Sequence, residues 1–288
     1  MSHPQLRALV ALAEVAAEGG EVEPLEVELR DGSRALLRPI RPDDKERLRH
    51  GLDWLSPRSR YLAFHDRLDH LTDEQLRYVT EIDHRDHVAW VALDADDPEA
   101  PGMGIGRYVR LSHATHVAEA AITVVDRYQG LGLGTLLLAV LTAVARANGI
   151  EVFRNYVLAE NEAMLGLFDE LGATRQLITS SVYEVDFALP DDPDELPDTP
   201  AGRAIRAFAQ GPPAAPTLAF TLPPVWIRRL RRRRGSAAPP TPPVPEGWRE
   251  RGPFGDWLDA SLEPGSEDEA EDAGDDGSAG ARGTPEGG

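Results

Sequence analysis

The sequence predicts an α/β fold, a mixed and mostly antiparallel central sheet flanked by helices, on three observations. Segments with two-residue and with helical apolar spacing succeed one another in the order strands, helices, three strands, helix, strand, helix, strand. The strands ahead of the longest helix are joined by short polar turns, as in an antiparallel meander. Composition then changes near Pro190, beyond which Pro, Gly, Ala and charged residues dominate. Such a tail buries too little apolar surface to offset its ordering entropy. The expected organisation is an N-terminal amphipathic helix in residues 1–24, a globular domain over 25–190, and a largely disordered tail over 191–288.

Each element has its own signal. Pro4 to Ala17 is apolar and helix-prone, with Arg7 and Glu14 inside it. No cationic region precedes an uninterrupted apolar core, so it reads as an amphipathic helix and not a signal peptide. Leu25–Arg30 alternates apolar and charged residues, Asp31-Gly32 turns the chain, and Arg34–Pro39 returns it as a hairpin. Pro42 suits a helix start, with Asp43 and Asp44 at its positive end. Leu48, Leu52 and Leu55 then space out an apolar face. Ser56-Pro57 opens a short helix carrying Tyr61 and Phe64, and Thr72 with Gln75 forms a capping box for a helix to about Thr80. His87–Leu93, Met103–Leu111 and Val117–Val125 read as strands, with Asp94–Gly102 as a polar turn. Leu133–Ala147 is a long amphipathic helix stopped by Asn148-Gly149. Glu151–Leu158 is a strand, Glu162–Leu171 a helix stopped by Gly172, and Gln176–Leu189 one or two closing strands.

Bulk properties narrow the function. The 288 residues include no cysteine, which excludes disulfides, thiolate metal sites and cysteine nucleophiles. A formal charge of −19 repels nucleic acid, so no specific nucleic-acid partner is expected. No apolar run is long enough to span a bilayer, and a cytoplasmic protein is expected. The dense basic cluster Trp226–Arg234 could contact an anionic surface weakly; the preferred reading is a solvated tail whose basic block and acidic segment from Asp256 onward attract each other weakly, with masking of the Arg run as the alternative. His84 with His87, and His113 with His116, have His-x-x-His spacing, but polar loop histidines are the better reading, and no metal is expected.

The segment richest in chemistry is Val124-Val125-Asp126-Arg127-Tyr128-Gln129-Gly130-Leu131-Gly132-Leu133-Gly134-Thr135, between a strand and the long helix. Glycines at alternating positions let backbone approach a ligand closely, and free amides at the helix start suit a pyrophosphate. A Walker A loop needs Lys after its last Gly, where Thr135 stands here. A Rossmann loop needs a parallel βαβ unit, which the meander does not supply, although Glu151 could serve as its acidic residue.

Gln129 to Gly134 resembles motif A of the GNAT acetyltransferases, in which Arg or Gln precedes Gly-x-Gly-x-Gly or Ala. Asn161-Glu162-Ala163-Met164 through Leu171-Gly172-Ala173 resembles the later helix of that family, and Leu37 to Asp44 its first strand and helix start. The resemblance covers about residues 33–189. Ser56 to Tyr61, Asp83 to Val88, and Ala118-Glu119 resemble bacterial protein lysine acetyltransferases of the Pat type, which often carry a regulatory domain that this sequence does not show. The resemblance implies a GNAT fold and acetyl-CoA as cosubstrate. It implies that the amides of Gln129, Gly130, Leu131, Gly132, Leu133, Gly134 and Thr135 hold the CoA pyrophosphate. By the same resemblance Ile122, Thr123, Val124 and Val125 pair with the pantetheine arm, and Asn161 contacts it.

Acetyl transfer requires a neutral amine, and with a lysine pKa near ~10.4 only about one amine in a thousand is neutral near pH 7. A general base must remove the proton. Glu119 is the candidate, sharing a strand face with Thr123 while Ala118, Ala120, Ile122 and Val124 take the other. The resemblance places the catalytic Glu there and the carbonyl-polarising amide within Ile122–Val125. It also implies a thiolate-protonating Tyr where Phe168 stands. Tyr128 reads equally as cofactor packing or as cover for the sheet edge. The expected activity is N-acetylation of a protein lysine. Small-molecule amines or peptide N-termini are the alternative acceptors, and a noncatalytic acyl-CoA sensor is the alternative class.

Overall fold

The computed structural model describes residues 4–64, 69–97 and 99–210. Its elements are α1 (Pro4–Ala17), β1 (Leu25–Glu28), β2 (Arg34–Pro39), α2 (Lys45–Asp53), α3 (Pro57–Phe64), α4 (Asp73–Thr80), β3 (His87–Asp94), β4 (Gly104–Leu111), β5 (Ala114–Val124), α5 (Leu133–Ala147), β6 (Val152–Leu158), α6 (Glu162–Glu170), β7 (Thr174–Thr179), β8 (Val182–Ala188) and α7 (Pro200–Gln210). The strands form one eight-stranded sheet in the order β1-β2-β3-β4-β5-β6-β8-β7. Neighbours are antiparallel except β5 and β6, which run parallel with α5 as their crossover. The closing segment, expected as one or two strands, is the β7–β8 hairpin.

Helices cover both faces. On one, α5 packs with α1 and α7 beside it. Leu137, Leu138 and Leu141 of α5 are fully buried in a core shared with Val88 and Trp90 of β3 and Tyr108 of β4. Gly106 permits this close seat, because a Cβ there would lie 3.2 Å from Leu141 Cδ1 and 3.3 Å from Leu137 Cβ. On the other face, Tyr78 and Val79 of α4, with Leu48 of α2, pack on Ala89, Val91, Leu93 and Ile105.

Local chemistry sets the helix starts. Thr72 Oγ1 accepts the Gln75 amide at 3.2 Å and Gln75 Oε1 accepts the Thr72 amide at 2.9 Å, closing the capping box. Asp44 accepts both guanidinium arms of Arg38, at 2.6 and 2.7 Å, and the Arg41 amide at 2.8 Å. This buried, doubly bonded carboxylate ties the start of α2 to β2.

The packed chain extends beyond the expected boundaries at both ends. Leu6, Leu9 and Ala13 of α1 are buried in the main core, so the first helix is a layer of the domain. At the other end, Leu196, Ala201, Ile205, Phe208 and Ala209 are buried beyond Pro190. Thr199 Oγ1 donates to the Glu170 carbonyl at 2.7 Å, and Glu170 Oε2 accepts the Ala201 amide at 2.8 Å. The sequence suggests a short docking helix over Ala204–Ala209 within the tail; the helix runs from Pro200 to Gln210 and packs into the domain. The Arg run and acidic end lie outside the described residues. Among the described residues, no helix is long and apolar enough to cross a membrane.

Candidate active site

The site lies where the sheet opens. β5 and β6 pair only through Val117–Val152, Ala118–Phe153 and Glu119–Arg154, and then part. On its other edge β5 stays paired with β4 as far as Val124. Val125 donates its amide to the Met103 carbonyl at 2.9 Å, continuing that ladder. Antiparallel pairing turns alternate residues toward opposite neighbours. Glu119, Ala121, Thr123 and Val125 thus direct backbone groups at β4, while Ala120, Ile122 and Val124 direct theirs into the opening. Of the four residues expected to pair with a pantetheine arm, Ile122 and Val124 present backbone there. Thr123 and Val125 use theirs in the sheet and turn their side chains into a second cavity.

The opening is a cleft of about 50 Å³ bounded by Glu119, Ile122, Tyr156, Asn161, Met164 and Phe168, among others. Its walls come from both faces of the sheet, Leu62 and Ala63 of α3 on one side and Leu138 of α5 on the other. Ala121 also lines the second cavity, of about 100 Å³, enclosed by Leu48, Leu52, Leu55, Phe64, Val91 and Ile105. The cleft therefore leads toward an apolar chamber on the face that carries Glu119.

The glycine loop closes one end of the cleft. Gly130 and Gly132 have φ of 75° and 92°, a region that other residues enter only with strain. Gly132 caps α5. The amides of Gly130, Leu131, Gly132, Leu133, Gly134 and Thr135 have no backbone acceptor among the described residues. They form a free donor cluster at the positive end of a 15-residue helix. The Gln129 side chain serves the loop itself, donating to the Val124 carbonyl at 3.0 Å and to Ser59 Oγ at 3.3 Å. Asp126 accepts the Ser56 amide at 3.0 Å and Ser59 Oγ at 2.9 Å, fixing α3 to the same loop. Arg30, at the β1–β2 turn, donates its amide to the Leu131 carbonyl at 3.2 Å and a guanidinium N–H to the Gly130 carbonyl at 3.5 Å. Its contribution comes from the fold and leaves no trace in sequence spacing.

Glu119 projects from the middle of β5 into a nearly dry site. Its Oε1 has no hydrogen-bond partner among the described residues. Burial pushes its carboxyl up to about 7, with the Arg107 charge drawing it back down. Tyr156, on β6, is also raised, by burial and then by the nearby Glu184 and Glu119.

The remaining candidates fall elsewhere or serve the fold. Asn161 borders the cleft, and its Oδ1 also caps α6 by accepting the Met164 amide at 3.3 Å. Phe168 is buried and lines the cleft as a hydrocarbon wall, its ring tilted 54° to that of Phe187 with centroids 6.2 Å apart. Tyr128 packs in the core with its hydroxyl toward Asp94 and Arg127. His87 is buried against the Tyr78 ring, 4.9 Å away, and lines neither cavity. His113 and His116 are exposed near the β4–β5 turn. Among the described residues, no group of three or more His, Cys, Asp or Glu is placed to hold a metal.

A sheet opened between its parallel strands, with a free-amide loop at one end, defines an acyl-carrier-dependent transferase scaffold. Residues 47–173 match the acetyltransferase (GNAT) family. The chain is 33% identical over 198 residues to the acetyltransferase Pat of Mycolicibacterium smegmatis, covering 66% of this chain and 58% of that protein. It is 36% identical over 148 residues to the acetyltransferase PA5475 of Pseudomonas aeruginosa, covering 51% of this chain and 79% of the relative. The crystal structure of the GNAT domain of S. lividans PAT superposes with a TM-score of 0.54 at 31% identity, covering 58% of this chain and 97% of that one. The chain belongs to the GNAT acetyltransferase family, whose cosubstrate is acetyl-CoA. It spans little more than half the length of the Mycolicibacterium relative. The residues present suit that cosubstrate: the free loop amides fit a pyrophosphate, and the unpaired backbone of Ile122 fits an amide-bearing arm.

Proposed function

We propose that this protein transfers acetyl from acetyl-CoA to the side-chain amine of a protein lysine, with Glu119 as general base. The observation that carries this reading is the half-buried Glu119 at the sheet opening, with one buried, unpartnered carboxylate oxygen and with its ionisation near neutral pH. A base poised near the working pH combines adequate ionisation with adequate proton affinity. Bound acetyl-CoA supplies an activated thioester. Glu119 takes the proton from the acceptor ammonium, directly or through one water. The free amine forms the N–C bond as the C–S bond breaks, the thiolate leaves, and the acylated nitrogen releases its second proton to solvent to give the neutral amide. The Ile122 amide, directed into the opening, donates to the carbonyl oxygen as negative charge develops. Phe168 has no proton to give, so in this reading solvent protonates the thiolate. The loop amides and Asn161 orient the cosubstrate.

The lysine preference has two supports. The face bearing Glu119 also bears the apolar chamber of about 100 Å³, where an alkyl stem would be desolvated while its amine meets the carboxylate. The relative from Mycolicibacterium carries the name Pat, the group that the Ser56–Tyr61 and Asp83–Val88 segments resemble.

Labelled acetyl-CoA incubated with the protein and a cell lysate tests the reading. Label is expected in a few proteins and to fall by 10²–10⁴-fold in Glu119→Gln, the usual contribution of a general base, with acetyl-CoA affinity unchanged. Label confined to small molecules would replace the lysine acceptor with a free amine. Binding of acetyl-CoA with no label anywhere would favour a sensor.

A further inference from the structure

Beneath the catalytic face lies a second buried charge. Arg107 projects from β4 on the same side of the sheet as Glu119, and the register pairs Arg107 with Ala121 and Val109 with Glu119. The two side chains are therefore diagonal neighbours on adjacent strands, within reach of long side chains. Arg107 is 6% exposed. Its guanidinium lies 5.3 Å from the Tyr78 ring centre, where the ring face attracts a cation.

The surroundings determine what this charge can do. From α4 comes Tyr78, which bonds Arg107 and favours its cationic form. From β3 comes His87, whose ring burial holds neutral, with Arg107 and His84 acting in the same direction. From β6 come Tyr156, and Arg154, which pairs opposite Glu119 but is held by Asp186 at 2.7 and 2.9 Å. The α3 residues that border the cleft, Leu62 and Ala63, carry no charge. Glu119 favours the cationic form of Arg107, Arg107 draws the Glu119 carboxyl down, and Asp44 and Arg47 line the chamber together with Arg107. A carboxylate this dry would otherwise stay protonated and could accept nothing.

We propose that Arg107 is a positioning residue that keeps the Glu119 carboxylate charged, so that the base is ready before the amine arrives. Tyr78 holds the guanidinium on the α4 side, through its ring face and a hydrogen bond. The proposal rests on Glu119 as general base.

Arg107→Met retains much of the volume and removes the charge. Its kcat/KM acid limb, which reports Glu119 ionisation, should move up by at least one pH unit, a tenfold loss of rate on the acid side. Acetyl-CoA affinity should stay unchanged, and Arg107→Lys should restore the limb to within half a unit. An unmoved limb in a folded Arg107→Met protein would overturn the proposal. If that variant does not fold, a measurement on the intact side chain decides. In wild-type protein labelled at arginine, the Arg107 side-chain resonances should shift with a midpoint matching the acid limb, and the shift should vanish in Glu119→Gln. Resonances indifferent to pH between 5 and 9 would equally overturn it. Full turnover in Glu119→Gln would instead remove the base assignment itself.

Discussion

The two ends of β5 build opposite kinds of site. At its C-terminal end the glycine loop is made of backbone: free amides, two left-handed glycines and a helix start, open to solvent. At its middle the site is made of side chains: a half-buried carboxylate near a buried guanidinium, with Tyr78 and Tyr156 around them. Backbone donors need shape and little dielectric control. A base working at neutral pH needs the reverse, a dry setting that raises its proton affinity and a nearby charge that limits the rise. One strand can serve both because its pairing with β6 ends at Glu119, where the sheet opens.

The largest expected effect lies at the buried end and concerns stability. In the fold, Glu119 titrates at about 7 against an ordinary 4.5. The folded state therefore binds this proton more tightly than the unfolded state does. Folding is unpenalised by this group below about pH 4.5 and loses stability as pH rises to about 7. Above that the loss levels off at about 3 kcal/mol. Glu119→Gln removes the ionisation, so the variant should be more stable than wild type at pH 8, by up to that amount, and similar at pH 4.5. Urea midpoints at the two pH values measure it. Equal midpoints at pH 8 would mean that Glu119 is well solvated and that the two ends of β5 differ less than their burial indicates.

At the exposed end the expected effect is smaller and falls on binding. Gly132 has φ of 92°, and a Cβ added there would meet nothing closer than Arg30 Nε at 3.5 Å. Gly132→Ala should thus cost backbone strain alone, about 1–2 kcal/mol. Relief of that strain would turn the loop amides, weakening acetyl-CoA binding about tenfold while kcat changes little. Calorimetric titration checks this. A fall in kcat at unchanged affinity would mean that the loop positions the reacting carbon as well as the carrier.

The same contrast explains what could be read from the chain. Gly130, Gly132 and Gly134 announce a backbone shape, because glycine spacing encodes conformation locally, and Leu133–Ala147 appears in the structure with the bounds its spacing predicts. Glu119 was placed on the correct strand face by alternation alone, although its role came from family resemblance. Arg107 and Tyr78 carry no such mark, since their roles exist only after β4 and α4 are brought against β5. Likewise, the division of Ile122 and Val124 from Thr123 and Val125 depends on which edge of β5 meets β4, a fact of sheet order and not of local pattern. A short docking helix over Ala204–Ala209 was legible in the sequence, but its start at Pro200 and its burial against the domain were not, because the surrounding composition is Pro- and Ala-rich.

Arg30 provides the finest test, because it joins the two kinds of site-building in one residue. Its backbone amide braces the loop at the Leu131 carbonyl, a bond that any residue but proline could make. Its guanidinium stands beside the Gly130 carbonyl and the free amides, at a place where a pyrophosphate would meet added positive charge. Arg30→Ala deletes only the second contribution. Because the guanidinium is exposed, its charge is screened, and the expected loss is below about 1 kcal/mol, a twofold to fivefold rise in the acetyl-CoA Kd. That increment should shrink between 50 and 500 mM salt, whereas the loss in Gly132→Ala, which is conformational, should persist. A salt-independent Arg30→Ala effect would show that the side chain acts by bracing the loop and not by charge.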